Sequence, residues 1–456
     1  MLGQERIKEI TDGILARSTA DQTEVVVLAG DSFLTRFANS AIHQNVADTD
    51  AEVRIRVVVG KRVGVATTNN LADQALNQAL ENALAIARLQ PENPDFKSLP
   101  GPPPLGSAQG RPIPQVTAFS EATAACTPEQ RAKGAGSICL LAREAGVVAA
   151  GALTTATLEV AVANSLGVLA YCPTTYADVV TVVMGDAGSG YASALALDVN
   201  DLDFEVIGRE AVKKCLRSQN PRPIDPGEYT VILEPYATQD LVEMMAYTGF
   251  GAVALQEGSS FMVGKIGQQI VDSRISIWDD GLDPRGIPWP FDFEGVPRQR
   301  VDFIEKGVAR GVVYDSYRAG KEEGKVSTGH ALPAPNTYGP FPLNMFFAPG
   351  DTTLEEMVQS TERGLYVTRF HYTRVVEPTK VVITGMTRDG VFLVENGEIA
   401  YPVKNLRFTQ SYLEALNHVE GIGREPRLLT GMDGMARDSV PALKLGKFTF
   451  TGTTEF

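Results

Sequence analysis

Histidine, cysteine and carboxylate side chains are the groups in this sequence that could support acid–base, nucleophilic or metal chemistry, and most of them are scattered. The four histidines are His43, His330, His371 and His418, and the four cysteines are Cys126, Cys139, Cys172 and Cys215. No CxxC pair occurs, and no histidine shares a motif with a cysteine or with a serine and an aspartate. The spacing therefore indicates no catalytic triad. It predicts reduced, mostly buried thiols.

Two loops hold the remaining candidates. Residues 327–330, reading STGH, predict a loop in which His330 is a candidate binding residue, because loops often carry function. A second loop contains the acidic residues Asp279, Asp280, Asp283, Asp292 and Glu294. Paired carboxylates can act as acid and base in a glycosidase, but sequence spacing does not show that any two of these face each other. We expect solvated loop acids.

The segment from Tyr236 to Ile270 is the element around which the chain is organised. Thr238 is the expected N-cap of an amphipathic helix, and Gly249 and Gly251 are expected to end it. The expected packing stripe is Leu241, Met244, Met245 and Thr248. The pattern predicts a plain helical stripe that packs on a core. The segment contains neither histidine nor cysteine.

Five segments, in this order and spacing, resemble the TldD/TldE family of metallopeptidase-related proteins. They are FANSAIHQN (Phe37 to Asn45), EGSSFMVGKIGQQI (Glu257 to Ile270), VSTGHA (Val326 to Ala331), FFAPGD (Phe346 to Asp351) and VENGEIAYPVKN (Val394 to Asn405). The resemblance covers nearly the whole chain. The second branch of this family is also called PmbA and carries an older label as a modulator of DNA gyrase.

The active branch of that family carries HExxxH on the helix before the SSF-like segment, and a cysteine near the C-terminus. In this sequence the first histidine, the glutamate, the second histidine and the cysteine fall on Glu243, Met244, Thr248 and Asp433. Zinc catalysis needs about three protein ligands and a general base, and methionine cannot accept a proton. The resemblance therefore implies the TldE/PmbA branch. This chain is then expected to have no metal and no catalytic residues of its own, with zinc only in a TldD-like partner.

By position in the family, several residues are expected to line a substrate cleft. They are Glu243, Tyr247, Thr248, Ser259, Ser260 and His330. The function that the resemblance implies is a subunit of a TldD/TldE-type zinc metallopeptidase acting on unfolded or modified peptides. Its expected partner is an HExxxH-bearing homologue, or a second copy in a homodimer. Two alternatives are a non-proteolytic peptide-binding scaffold and a homo-oligomeric hydrolase whose metal binds Glu243 and Asp433.

Composition excludes several other classes of protein. The formal charge of -14 argues against a nucleic-acid-binding surface, which needs clustered lysine and arginine. The N-terminal residues predict a charged amphipathic helix rather than a signal peptide. No apolar run reaches the roughly 20 residues that a transmembrane helix requires. We therefore expect a cytoplasmic protein that binds neither nucleic acid nor membranes.

The pattern of elements predicts an α+β fold, with an N-terminal antiparallel sheet carrying helices and a β-rich, barrel-like C-terminal domain. We expect an N-terminal domain over 1–90, a proline-rich linker or strap over 91–116, and a central segment over 117–218 that packs with the first domain. Residues 219–227, reading QNPRPIDPG, predict a second linker. The C-terminal domain is expected over 228–456.

Local signals predict several element boundaries in the first half of the chain. Strands are expected over 24–28, 33–37, 41–46 and 51–59, and Asn70 is the expected N-cap of the helix that follows them. Thr127, Pro128 and Gln130 predict the start of another helix with a capping box.

Overall fold

The computed structural model describes residues 1–102, 113–432 and 434–454. It confirms the predicted α+β class, with one sheet in the N-terminal part and two in the C-terminal part. Residues 103–112 of the proline-rich segment and Asp433 lie outside the described residues. No helix among those described is long and apolar enough to cross a membrane.

The N-terminal part is a six-stranded antiparallel sheet in the order β3-β2-β1-β4-β5-β6. Its strands are β1 (Gln22–Ala38), β2 (Ala41–Val59), β3 (Arg62–Thr68), β4 (Val148–Asn164), β5 (Leu169–Met184) and β6 (Ser189–Ala196). Its helices are α1 (Gln4–Arg17), α2 (Asp73–Leu89), α3 (Glu121–Ala124), α4 (Pro128–Glu144) and α5 (Phe204–Arg217), with a 3₁₀ turn at Val199–Asp201. Strand β1 pairs with β4. Residues of the expected N-terminal domain (1–90) and of the expected central segment (117–218) therefore belong to one sheet.

Local sequence signals explain most of these boundaries. Thr127 and Gln130 form the predicted capping box at the start of α4. The predicted cap at Asn70 is wrong, because helix α2 begins at Asp73 after Ala72. The side-chain Oδ1 of Asn70 instead accepts a hydrogen bond from the Ala72 N–H, before the helix begins. The four predicted strands form two longer strands: the first two merge into β1 and the next two into β2. The polar residues between them also pair across the two strands, so neither strand is interrupted.

The C-terminal part contains thirteen described strands and several short helices. The strands are β7 (Gly227–Leu233), β8 (Ile277–Asp279), β9 (Val301–Glu305), β10 (Val308–Ala309), β11 (Met345–Phe347), β12 (Arg363–Glu377), β13 (Val382–Glu395), β14 (Glu398–Pro402), β15 (Leu406–Ser411), β16 (Val419–Ile422), β17 (Arg427–Thr430), β18 (Arg437–Val440) and β19 (Leu443–Thr453). The helices are α6 (Pro235–Met245), α7 (Ala252–Gln256), α8 (Ser316–Ala319), α9 (Leu354–Gln359) and α10 (Tyr412–Ala415), with a π-helical turn at Ala246–Phe250 and a 3₁₀ turn at Pro378–Lys380.

Five of these strands close into a barrel. The order β12-β7-β19-β15-β13 is completed by pairing between β13 and β12. Phe370, Phe408, Tyr412, Phe448 and Phe450 form a contiguous aromatic cluster within the C-terminal core. Closure pairs the edges that an open sheet would expose, and this explains the predicted barrel-like character. The second sheet has the order β10-β9-β8-β11-β18-β17.

Helix α6 and the π-helical turn after it form the centre of the C-terminal core. Glu234, not the predicted Thr238, is the N-cap residue, because Pro235 occupies the first turn and Thr238 is buried inside the helix. Every residue of α6 except Gln239 is buried. The prediction of a plain helical stripe is wrong, since residues Ala246–Phe250 follow π-helical geometry. Phe250 stacks on Phe303 with ring centroids 4.1 Å apart, and this contact holds the widened turn in the core.

A buried carboxylate attaches α6 to the barrel. Asp240 Oδ1 accepts a hydrogen bond from the Tyr412 hydroxyl and Oδ2 accepts one from the Thr373 hydroxyl, both at 2.7 Å. Burial raises the pKa of Asp240 to about 6, while the two hydroxyls limit the shift. Helix α6 is thereby linked both to α10 and to strand β12.

The Asp240→Asn substitution tests this attachment through pH. Because the folded-state pKa lies above the ordinary value, protonation of Asp240 stabilises the fold, fully below about pH 4, and this contribution is lost as pH rises through about 6. An asparagine can still accept one hydroxyl and donate to the other. The stability of the variant relative to the unsubstituted chain should therefore rise by about 3 kcal/mol between pH 4 and 7.

Urea unfolding at several pH values measures this difference. Asp201→Asn, at an exposed position, is the control for effects common to any such replacement. A stability difference that does not change with pH would contradict the assigned role of Asp240.

Candidate functional site

A cleft of about 670 Å³ lies beside the C-terminal end of α6. It is bounded by α6 and its π-helical turn, by strand β12, by residues 332–345, and by Met432 and Ala436. Its lining residues are Glu243, Met244, Tyr247, Leu332, Tyr338, Phe341, Met345, Thr373, Arg374, Val375, Met432 and Ala436. Two of the residues expected in a substrate cleft, Glu243 and Tyr247, are therefore neighbours in one cavity.

The side chains at the family's metal positions are committed to other contacts. The Thr248 hydroxyl donates to the Met244 carbonyl oxygen at 2.7 Å, which satisfies it within the helix. Met244 presents a thioether that is 6% exposed, packed in the core. Glu243 Oε1 accepts a hydrogen bond from the Met432 N–H at 2.7 Å. None of these three groups is arranged as a ligand.

Gly431 and Met432 approach Glu243 closely. A Cβ atom on Gly431 would lie 2.7 Å from Glu243 Oε1 and 2.7 Å from the Ala436 side chain. The lack of a Cβ atom at Gly431 therefore favours this approach, in which the Met432 N–H reaches the carboxylate. Glu243 helps to shape the wall of the cleft through this contact.

Among the described residues, the side chains at the family's metal positions are mostly not those that zinc prefers. Glu243, Met244 and Thr248 offer one carboxylate, one thioether and one hydroxyl, whereas zinc prefers nitrogen, thiolate and carboxylate ligands. In the part of the chain that the structure describes, no group of three or more histidine, cysteine, aspartate or glutamate side chains is placed to hold a metal ion. Asp433, the second carboxylate of the metal-binding alternative, is not among the described residues.

A smaller polar lobe of about 290 Å³ adjoins the cleft and shares Glu243, Thr373 and Met432 with it. The other lining residues are Tyr191, Tyr236, Gln239, Asp240, Arg369, Phe370, His371, Tyr372 and Thr430. Arg369 is paired with Asp389, its Nε lying 2.6 Å from Oδ2. Partial burial, together with the charges of Arg388 and Arg369, lowers the pKa of His371.

A bulge in β12 shapes the wall between the two lobes. The register with β13 skips from His371 to Arg374, and Tyr372 adopts a left-handed φ of 55°. A bulge of this kind changes the direction of side chains and raises local twist. Tyr372 and Arg374 are exposed, whereas Thr373 is buried and donates to Asp240. The Asp240 attachment thus fixes the bulge that carries part of the cleft lining.

Four of the expected cleft residues are not in the lining of this cavity. Thr248 is buried behind Met244, and Ser259 is exposed. The Ser260 hydroxyl donates to the Gly249 carbonyl oxygen at 3.0 Å and accepts from the Met262 N–H. His330 lies in a separate buried cluster. Of the six residues expected from the family positions, Glu243 and Tyr247 thus line this cavity, and a substrate-binding role for all six stays a prediction.

The expectation of solvated loop acids is wrong for three of the five residues. Asp279, Asp292 and Glu294 are buried, with at most 5% exposure. Asp279 is buried because it is the last residue of strand β8. Asp292 and Glu294 are buried because Phe291 and Phe293, their neighbours in the loop, insert into a core cluster with valines of the N-terminal sheet.

His330 is fully buried with one of these acids. Its Nε2 lies 2.8 Å from Asp279 Oδ1, and its Nδ1 lies 2.9 Å from the Thr328 hydroxyl. Burial acts to raise the pKa of Asp279, but His330 and Arg298 hold it below its ordinary value. A histidine with no exposed surface cannot contact a peptide, so this pair contributes to the fold.

The neighbouring acids join the two parts of the molecule. Burial, followed by the charge of the nearby Glu294 carboxylate, raises the pKa of Asp292. Arg56 of β2 donates to Glu24 Oε2 at 2.7 Å and to Glu294 Oε1 at 3.0 Å. This ion-pair network spans from the N-terminal sheet to the C-terminal loop.

Sequence reasoning did not identify several residues of the cleft. Tyr338, Phe341 and Met345 come from loops and a short strand without periodicity. Arg374 lies in the segment YVTRFHYTR, where the alternation predicts a regular strand and gives no sign of the bulge. Tyr372 is the exposed aromatic residue of that segment, and the density of aromatic residues there is the signal that could have indicated a binding surface.

Three family profiles match successive parts of the chain. The PmbA/TldA metallopeptidase domain 1 matches residues 23–87, the central domain matches residues 121–219, and the C-terminal domain matches residues 226–452. The chain is 27% identical over 243 residues to a metalloprotease of Methanothermobacter thermautotrophicus, an alignment that spans about half the length of each protein (52%). It is also 27% identical over 433 residues to the metalloprotease PmbA of Escherichia coli O157:H7, covering 90% of this chain and 89% of that one.

Solved structures share the fold. TldE from Thermococcus kodakarensis superposes with a TM-score of 0.87 at 22% identity, covering 98% of this chain and 99% of that one. A Thermotoga maritima protein described as a modulator of a DNA gyrase superposes with a TM-score of 0.85 at 21% identity, covering 98% of this chain and 100% of that one. At this identity the likeness shows the fold alone. Together with the three profile matches along its length, it shows that the chain belongs to the PmbA/TldD metallopeptidase family.

Proposed function

We propose that this protein is the TldE/PmbA-like subunit of a TldD/TldE-type zinc metallopeptidase, and that it holds peptides without cutting them. The observation that carries the proposal is the set of contacts made by the side chains of Glu243, Met244 and Thr248. The family positions for two zinc ligands and the general base are occupied here by groups that hold the backbone or fill the core. The cleft beside them is nevertheless retained at about 670 Å³.

The N-terminal sheet offers a second surface suited to an extended peptide. Strand β3 pairs with residues 53–59 of β2, so among the described strands residues 41–52 of β2 have a strand neighbour on one side, β1. An exposed strand edge can bind a peptide through main-chain hydrogen bonds, without special side chains. Arg54 NH1 donates to the Ala334 carbonyl oxygen at 2.6 Å, which connects this strand to the loop at the rim of the cleft.

Related chains with a common scaffold can pair through equivalent surfaces. In such a heteromer the partner would supply zinc and this chain would complete the peptide-binding space. All four cysteines are buried and unpaired, which suits a reducing compartment such as the cytoplasm.

Metal content tests the non-catalytic half of the proposal. The full chain purified under native conditions should contain far less than one zinc per molecule, because its available donors are poor zinc ligands. Elemental analysis measures this, with an HExxxH-bearing relative purified in parallel as the positive control. Stoichiometric metal that disappears in Glu243→Gln would instead support the hydrolase whose metal binds Glu243.

Mixing experiments test the subunit half. With its HExxxH-bearing homologue the chain should co-elute on size exclusion, and an unstructured peptide should be degraded by the mixture and by neither protein alone. A partner whose HExxxH glutamate is replaced by glutamine is the matched control, and it should form the heteromer without degrading peptide. Separate elution, or equal degradation by the homologue alone, would favour the peptide-binding scaffold that does not act in proteolysis.

A further inference from the structure

The larger lobe of the cleft combines an apolar interior with an aromatic rim. Met244, Phe341 and Met345 form part of its interior, and Phe341 and Met345 belong to the same core as α6. Tyr247 and Tyr338, at the rim, are 58% and 64% exposed. Exposed tyrosines around an apolar pocket are typical of surfaces that bind peptides, because the rings supply contact area at low entropic cost.

Arg374 is the basic residue in the lining of this lobe. The bulge at Tyr372 brings it onto the cleft wall, where its guanidinium lies 5.7 Å from the Tyr372 ring centroid. Its NH1 donates to the Thr373 carbonyl oxygen at 2.7 Å. These contacts orient the guanidinium before any ligand arrives.

Over the described ranges, Arg374 forms no ion pair with an aspartate or glutamate. Its neighbour in the strand, Arg369, is by contrast neutralised by Asp389. A guanidinium presents five N–H donors in a planar fork that matches a carboxylate. Arg374 therefore has donors remaining for an anionic group that enters the cleft.

We propose that this cleft binds the C-terminal end of an extended peptide, with a bulky apolar last side chain in the larger lobe and the terminal carboxylate on Arg374. The proposal rests on the proposed function, because it names the class of peptide that the subunit holds. A carboxylate and a side chain leave the same Cα atom only at a C-terminus. One arginine beside one apolar lobe matches that pair of groups, and the rest of the peptide leaves across the tyrosine rim.

Binding of fluorescent, unstructured decapeptides to the full-length chain, followed by anisotropy, tests this inference. Peptides ending in phenylalanine are compared as the free acid and as the C-terminal amide, and with serine in place of phenylalanine. We expect the amide to bind about tenfold more weakly, since a charge-assisted pair is lost. We expect a similar loss for serine, because the apolar side chain is no longer buried.

Matched arginine variants assign the effect to a residue. Arg374→Ala should bind the acid as weakly as the amide and should no longer distinguish the two forms. Arg388→Ala, an exposed arginine on the paired strand β13 outside the cleft lining, should keep the distinction. Circular dichroism and thermal unfolding establish that both variants are folded.

Three results would overturn the inference. The first is equal binding of the free-acid and amide peptides, and the second is an equal loss of binding in the Arg374→Ala and Arg388→Ala variants. The third is tight binding of an amidated peptide whose acidic residue is internal. Absence of binding at millimolar peptide would also overturn it. In each case, co-elution with the HExxxH-bearing homologue and peptide degradation by the mixture would still stand as support for the proposed function, so the two ideas fail separately.

Discussion

The hydrogen bonds that Asp240 accepts from Tyr412 and Thr373 are the interaction on which the arrangement of the cleft depends. They connect α6, the longest of the described helices in the C-terminal part, to the barrel that closes around its aromatic core. Thr373 lies inside the β12 bulge, so the same carboxylate also sets the positions of Tyr372 and Arg374. A buried acid satisfied by two neutral hydroxyls is less stable than an ion pair when charged, but it gives one defined geometry. Asp240 thus links the helix, the barrel and the wall of the cleft to one another.

Much of the fold could be predicted from the sequence because it is encoded locally. Alternating apolar residues predicted the N-terminal strands, and Thr127 with Pro128 and Gln130 predicted a helix start that the structure confirms. The α+β class and the barrel-like closure followed from strand density. The start of α6 was misplaced, since Thr238 is a good cap by type but Pro235 and the preceding strand decide where the helix begins. Tertiary contacts took precedence over the local preference there.

The candidate site was less predictable for a physical reason. Its lining comes from segments far apart in sequence, and the loops that supply Tyr338 and Phe341 have no period to follow. The acids of residues 279–294 were judged by polarity, although strand β8 decides the burial of Asp279, and Phe291 and Phe293 decide that of Asp292 and Glu294. Pairing with His330 and Arg56 reduces the cost of burying Asp279 and Glu294, and three backbone N–H groups donate to Asp292. Such compensation depends on distances that a linear sequence does not contain.

The π-helical turn at Ala246–Phe250 includes Thr248, the position that the family resemblance aligns with the second histidine of HExxxH. A regular helix places residues five apart on different faces, so two histidines of an HExxxH motif need a widened turn to meet at one ion. Here the widened turn exists without those histidines, and stacking of Phe250 on Phe303 holds it. Core packing is therefore sufficient to hold the widened turn in this chain. Histidines introduced by substitution at Glu243 and Thr248 would meet a backbone that is already widened, which makes this helix a practical scaffold for the design of a metal site.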